Sequence, residues 1–487
     1  MDENGFLTCG KERVFELTNQ SLASCDKMRV LEQKGINIKE LEELQKRISI
    51  EYPWNSDYYW KRENYNKRNL SYPIALVYPE NKEQIKEILE FVKKYNIEFT
   101  LRSGGHSYEN LSLCSGFIID FSKIKNIDVM ADIKQVKVGA GIQIDELIKT
   151  LKKYDLVLPT GTCPNVGITG LTLGGGIGLL LRKYGLTCDN LISLTMVLAN
   201  GQIISVSPLQ YNDLYWASRG GGGGNFGCVV DLTFRVYYHP NVSWFDITYE
   251  RDKFHQVFDF WQKWAPYIDN NLSTVVHYNN SPQLLKIEGL FVGTPDDLIS
   301  LISPLFDFNY VTFNLYNGSY YDAAFYFATF PSHPFFKAKS DFIQNNLTSH
   351  AIDILSYYLN IPIESLGSSS DNPIDFGLYI AAFGGFPNTI PPSSTAFPHR
   401  NSLFWIQYIV HWSSPFQQDS CISWIRSLYN SIRPFVSSKC YVNCPDLDLF
   451  TPFISYYGSN LSRLRLIKSK YDPSNLLHFP QSIPPLL

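Results

Sequence analysis

The stretch Arg102-Ser103-Gly104-Gly105-His106-Ser107-Tyr108 decides how this chain is read, because two glycines and a histidine stand where a strand ends. The strand is expected over 98–101. Upstream, a short apolar strand over 74–78 is followed by Ile85, Ile88, Leu89 and Val92, which recur at the spacing of one helical face. Together these segments predict a βαβ unit. Downstream, 117–121 and 135–139 read as further strands, and a helix over 144–154 leads to a strand at 156–158. The stretch from Gly161 to Gly185 then holds eight glycines, a density that ordinary core does not use.

Farther out, Asn200-Gly201 joins two apolar runs, 194–198 and 203–207, and predicts a β-hairpin, because a two-residue turn of this kind needs positive φ at its centre. A glycine run from Arg219 to Gly227 precedes a strand over 228–237. Within it Gly222-x-Gly224-x-x-Gly227 has the form of a dinucleotide fingerprint. A strand follows it rather than a helix, which argues against a nicotinamide-binding Rossmann unit. Glycines in three separate loops let backbone amides close around a pyrophosphate and a flat ring. For any single loop the plainer alternative is a tight turn.

With 487 residues the chain is long enough for two or three domains, or for one large two-lobed domain. Hydrophobic residues at 45% against 18% charged exclude a disordered or fibrous chain. Forty-two basic against 46 acidic residues, with no basic tract, give a phosphate backbone no electrostatic support, so nucleic acid is not an expected partner. From about 240 to 440 the composition shifts to Phe, Tyr, Ser and Pro with alternating segments such as 378–382 and 403–410, which predicts a second lobe built on an antiparallel sheet. The Ser-rich segment 362–371 reads as a surface loop, and 461–487 as a helix followed by a Pro-rich tail.

The first residues carry neither the positive nor the apolar region of a signal peptide, and no apolar stretch approaches the roughly 18 residues of a membrane span. A soluble, intracellular protein is the default expectation. Nine Asn-x-Ser/Thr sequons, at Asn19, Asn69, Asn110, Asn241, Asn271, Asn279, Asn317, Asn346 and Asn460, leave a secretory or particle-associated location open. Nine scattered cysteines without a CxxC pair indicate neither a disulfide framework nor a metal site.

These loops resemble those of a known family. The match runs through the 102–108 stretch, Gly161-Thr-Cys163-Pro-Asn-Val166-Gly167, Gly174-Gly-Gly176-Ile-Gly178, Arg182-Lys-Tyr-Gly185 and Trp216 to Gly227. It continues in Phe336-Lys-Ala-Lys-Ser-Asp341, Ile406 to Trp412, Tyr441-Val-Asn443, Asp446-Leu-Asp448 and Tyr471-Asp-Pro-Ser-Asn475. In order and spacing the chain is similar to berberine-bridge-enzyme-like FAD-linked oxidases of the vanillyl-alcohol-oxidase superfamily. The resemblance implies an α+β, two-lobed fold. Residues 1–238 would form the FAD-binding domain, with a PCMH-type core at about 68–240. Residues 239–445 would form a substrate domain whose antiparallel sheet is covered by helices, and 446–487 would return to the FAD domain.

It further implies FAD bound twice covalently, His106 to the flavin 8α-methyl and Cys163 to ring carbon 6. Imidazole and thiolate are both nucleophiles suited to an electron-poor ring. The other cofactor-binding positions it implies are Arg102, Ser103, Gly104, Gly105, Ser107, Gly161, Val166, Gly167, Gly170, Gly174, Gly175, Gly178, Gly227, Val229, Tyr441 and Asn443. Val166 matches the position that lines oxygen's approach, where a small residue goes with oxidases; a packing valine is the alternative. The implied reaction takes hydride from an alcohol, sugar or activated C–H substrate to the flavin and reduces O2 to hydrogen peroxide. Partners would be that small molecule and O2. A dehydrogenase with another acceptor, or a flavin-bearing structural protein with decayed catalysis, are the alternatives.

The resemblance fails at the catalytic base. On a strand, Trp405, Gln407, Ile409 and His411 share one face. Gln407 matches the family's substrate-facing glutamine, but Trp405 replaces its lysine, Ile177 a tyrosine, and Cys444 the usual Tyr or His. Tyr108 is retained. Tyr108, Gln407 and Cys444 are therefore the expected catalytic positions. For the base itself Cys444, Tyr441 and His411 stand as candidates. Cys444 serves only if its pKa is lowered; otherwise it is a small apolar residue that widens the pocket.

Overall fold

A computed structural model describes residues 31–32, 35–68, 70–280, 284–328 and 334–486. The leader region considered above, with Asn19, and the sequon residue Asn69 lie outside the described residues. Strands β1 (Ser49–Glu51), β2 (Ala75–Tyr78), β3 (Phe99–Arg102) and β4 (Phe117–Asp120) form a first sheet in the order β1-β2-β4-β3. β2, β4 and β3 run parallel, and β1 is the antiparallel edge. The βαβ crossover is the helix Lys82–Lys94, capped by Asn81, whose side chain accepts from the Gln84 amide. Ile85, Ile88, Leu89 and Val92 are buried, as their spacing requires. The parallel sheet delivers Arg102 at the carboxyl end of β3, the end at which open α/β sheets present their binding loops.

The next strands are β5 (Ile127–Met130), β6 (Gln135–Gly139), β7 (Leu156–Val157), β8 (Leu191–Val197), β9 (Ile203–Val206), β10 (Cys228–Arg235) and β11 (Tyr237–Tyr238). Five of them form an antiparallel sheet ordered β5-β6-β10-β8-β9, while β7 pairs β11 apart from it. The Asn200-Gly201 hairpin joins β8 to β9, with Gly201 at φ 81°. The single strand expected over 228–237 is two. After Arg235 the Val236 amide bonds the Lys134 carbonyl, and Tyr237 then turns to pair with Val157.

The third sheet has seven antiparallel strands: β12 (Asn241–Glu250), β13 (Leu272–Asn279), β14 (Leu284–Phe291), β15 (Thr312–Ser319), β16 (Phe335–Ile343), β17 (Ile374–Ala382) and β18 (Phe404–Trp412). Their order is β15-β12-β14-β13-β17-β18-β16. Strand side chains alternate between faces. Ile406, Tyr408, Val410 and Trp412 of β18 are therefore buried in one core with the helices Phe254–Trp264, Ser349–Leu359 and Gln418–Ile432. The opposite face, with Trp405, Gln407, Ile409 and His411, looks toward the glycine loops.

The C-terminal helix Leu461–Tyr471 packs on the helix Asn212–Ala217, and its Leu464 and Ile467 are buried in one core with Val136 and Leu194 of the second sheet. Its buried Lys468 donates to the Asn225 carbonyl at 2.8 Å and to Asp472 at 2.7 Å, which ties the end of the chain to the third glycine loop. Among the described residues the seven cysteines form no disulfide, and no helix is long and apolar enough to cross a membrane.

Candidate active site

The three glycine loops and the bare face of the seven-stranded sheet enclose a cavity of about 560 Å³, within the range of small-molecule and cofactor sites. Its loop wall is built backbone against backbone. A Cβ at Gly104 would lie 2.2 Å from the Gly167 amide nitrogen, and one at Gly167 would lie 2.3 Å from Ser103 Oγ. Only glycine fits on either side, so the 102–108 and 161–167 loops are locked together. Asn165 shares a hydrogen bond with the His106 ring, and Tyr65 stacks on that ring with centroids 4.0 Å apart. Burial lowers the His106 pKa to about 4 against the opposing Asn165 bond. The imidazole is therefore neutral near pH 7, the form with a nucleophilic lone pair. Cys163 is part-exposed on the neighbouring loop and lines the same cavity.

The base of this wall is pinned. Arg102 Nε donates to Asp120 at 2.5 Å and Nη2 to the Lys61 carbonyl at 2.7 Å, whereas Nη1 is buried with no partner among the described residues. Ser103 Oγ donates to the Ala140 carbonyl at 2.7 Å. Among the described residues the amides of Gly104, Gly105, His106 and Ser107 bond no backbone carbonyl, nor do those of Gly223 and Gly224. A Cβ at Gly170 would meet nothing within 4 Å. Open donors beside open space are what a pyrophosphate and a flat ring require.

The sheet wall is made of side chains instead. Register places His277 of β13 opposite Tyr379 of β17, and Tyr379 opposite Gln407 of β18. These three form a polar row across the cavity face. Gln407 Nε2 donates to the Tyr108 hydroxyl at 3.4 Å, bridging the two walls. His277 Nε2 donates to Glu288 at 2.7 Å, and its ring meets Tyr379 edge-on at 5.0 Å. Burial opposes the charge on Glu288, but His277 and Lys286 outweigh it and hold the pKa at about 2. Burial keeps both Tyr108 and Tyr379 protonated.

Behind Tyr108 lies a buried ionic network. Glu109 binds Arg68 and Lys337, Lys337 reaches Asp446 at 2.6 Å, and Lys339 bridges Asp446 at 2.6 Å and Asp448 at 2.9 Å. It clamps the 102–108 loop to β16 and to the C-terminal segment.

Arg102, Ser103, Gly104, Gly105, His106, Ser107, Tyr108, Gly161, Cys163, Val166, Gly167, Gly170, Gly227, Val229, Gln407, Tyr441 and Asn443 all line this cavity. Gly174, Gly175, Gly178 and Cys444 do not. A Cβ at Gly174 would lie 2.0 Å from Asn443 Oδ1, and one at Gly178 would lie 1.6 Å from the Thr160 carbonyl oxygen, so these glycines make room for the protein itself. Cys444 packs in an apolar cluster with Trp405, Phe336 and Tyr441, and burial pushes its thiol pKa up, the wrong direction for a thiolate base. Tyr441 accepts from the Gly176 amide at 2.8 Å and from Asn443 at 3.1 Å, which occupies its hydroxyl oxygen. Tyr65, His277, Asp375 and Tyr379 also line the cavity without having been expected there. Alternation along 272–279 could have flagged His277 as sharing a face with Val275 and Asn279, but not which face.

A family model described as "FAD binding domain" matches residues 73–207, and one described as "Berberine and berberine like" matches 440–484. The chain is 37% identical over 439 residues to the uncharacterized FAD-linked oxidoreductase YgaK of Bacillus subtilis (strain 168), covering 88% of this chain and 95% of that protein. It is 31% identical to berberine bridge enzyme-like 23 of Arabidopsis thaliana, covering 87% of each. Among solved structures, Physcomitrella patens BBE-like 1 superimposes with a TM-score of 0.83 at 28% identity, over 91% of this chain and 98% of that one. Phl p 4.0202, a glucose dehydrogenase, does so at 0.82 and 26% identity, over 92% of this chain and 100% of that one.

Proposed function

The chain belongs to the berberine-bridge-enzyme-like FAD-linked oxidoreductases, and from that premise we propose that it is an oxidase carrying FAD bonded to both His106 and Cys163. The observation that carries this is the side-chain-free contact of Gly104 with Gly167, which brings the neutral His106 and the Cys163 loop to one cavity wall. The open amides of 104–107 and 223–224, the unpartnered Arg102 Nη1 and the space beside Gly170 suit a pyrophosphate and an isoalloxazine. Bound FAD would supply a two-electron oxidant that accepts hydride from an alcohol, sugar or activated C–H substrate and passes the electrons to O2, giving hydrogen peroxide. Tyr108 and Gln407 orient the substrate hydroxyl, their mutual hydrogen bond fixing both. Val166, small and on the cavity wall, leaves oxygen a path.

Intact mass spectrometry of the denatured protein tests the attachment. The parent should carry one FAD, and H106A and C163A should each retain it by the remaining bond; unmodified mass in the parent refutes covalent attachment. The likeness to a glucose dehydrogenase supports a second reading, in which another acceptor replaces O2. Stopped-flow reoxidation in air separates the two. Fast reoxidation that slows in V166L supports the oxidase, and slow reoxidation in both proteins supports the dehydrogenase.

A further inference from the structure

We propose that His277, held by Glu288, is the base that takes the proton from the substrate hydroxyl. This rests on the alcohol-oxidising reading above and fills the role for which Cys444 lies outside the cavity. His277 lines the cavity with its side chain 15% exposed, and its Nε2 is committed to Glu288 at 2.7 Å. The ring nitrogen left as an acceptor is Nδ1. Imidazole is also the side chain whose ordinary titration lies nearest neutrality, where a general base works best.

The alternatives fail on geometry or charge. Tyr441 has its oxygen occupied. Burial holds Tyr108 and Tyr379 in the phenol form. His411 shares the cavity wall but stands four strand residues from Gln407, about 13 Å along β18. His277 lies in the same row as Gln407 with Tyr379 between them, about 10 Å apart across two strand spacings. A sugar ring or similar polyol spans that gap, with one hydroxyl held by Gln407 and Tyr108 and the reacting hydroxyl, on the far side of the ring, at the histidine.

The step balances. The O–H bond breaks with its proton passing to Nδ1, and its electron pair becomes the second C–O bond as the C–H pair leaves as hydride to the bound oxidant. The imidazolium so formed is stabilised by the Glu288 carboxylate, a role general to carboxylate–histidine pairs. The charged and titratable groups facing His277 are Glu288 and Lys286 from β14 and Tyr379 from β17, and Lys286 is itself paired with Glu288.

Two measurements on the holoenzyme decide it. The chain has nine histidines, so in protein labelled with [13C]histidine the His277 resonance is the one lost in H277Q. E288Q should change that resonance, because it removes the carboxylate bonded to Nε2. Anaerobic flavin bleaching by a panel of alcohols and sugars should speed up as pH rises, since only the neutral imidazole accepts the proton. H277Q should lose this pH dependence and at least about a hundredfold in rate. A parent protein whose flavin is reduced while H277Q matches it, or a loss seen in H411Q instead, overturns the assignment of the base alone. Indifference of the His277 resonance to E288Q also overturns it. A parent whose flavin no alcohol or sugar reduces overturns the alcohol-oxidising reading, and this proposal with it.

Discussion

The two walls of the cavity are made by opposite means. The loop wall is backbone, with glycines pressed together so that no side chain intervenes, and its two nucleophilic side chains ride on loops that cannot move apart. The sheet wall is side chain on a rigid hydrogen-bonded ladder, and its chemistry depends on which strands are neighbours. A wall of backbone tolerates almost no substitution but fixes a large cofactor. A wall of side chains can be rewritten residue by residue, as Trp405 illustrates, without disturbing the fold.

The comparison is broken most severely at Gly104. Its Cβ would sit 2.2 Å from the Gly167 nitrogen, so G104A should yield little folded, flavin-loaded protein. G170A on the same wall should fold as well as the parent or gain up to about 1 kcal/mol, since alanine favours its helix and nothing lies within 4 Å. Flavin content and urea midpoints of the two variants measure this.

Next in size is the network joining the walls. E109Q leaves Lys337 and Arg68 buried without their shared carboxylate, and should cost about 3 to 5 kcal/mol in urea unfolding.

Acid sharpens the contrast on the sheet side. Glu288 is held at about 2 against an ordinary value of 4.5. Below pH 4.5 the unfolded chain takes up a proton that the folded one refuses, so stability falls as pH drops from 4.5 toward 2, by at most about 3 kcal/mol. Unfolding midpoints of E288Q should lack that component of the acid decline; identical acid profiles for both proteins contradict it. The smallest effect belongs to Gln407, whose bond to Tyr108 is long. Q407L should change stability by less than about 1 kcal/mol, while raising KM for a hydroxyl substrate.

Much of this was legible in the chain alone. Helical spacing gave the crossover helix with Ile85 and Val92 buried, and Asn200-Gly201 gave its hairpin, because both are local periodicities or local turn chemistry. The loops bearing His106 and Cys163 were visible because close backbone approach demands glycine at fixed short spacing. The same signal also picked out Gly174, Gly175 and Gly178, which lie outside the cavity lining. A glycine reports that something is close, but not whether that neighbour is a ligand or the protein's own Asn443 and Thr160.

By itself, then, the sequence determined the glycine loops, the residues they carry and the alternating strands of the second lobe. Only the tertiary structure decided that His277, Tyr379 and Gln407 share a row, that Glu288 holds His277, and that Glu109, Lys337 and Asp446 form one network. His277 and Glu288 meet across neighbouring strands, but the other partners come from strands and loops far apart in the chain. Alternation assigns each strand two faces but not the order in which strands pair, and that order is set by the burial of whole faces against helices, a property of the assembled sheet.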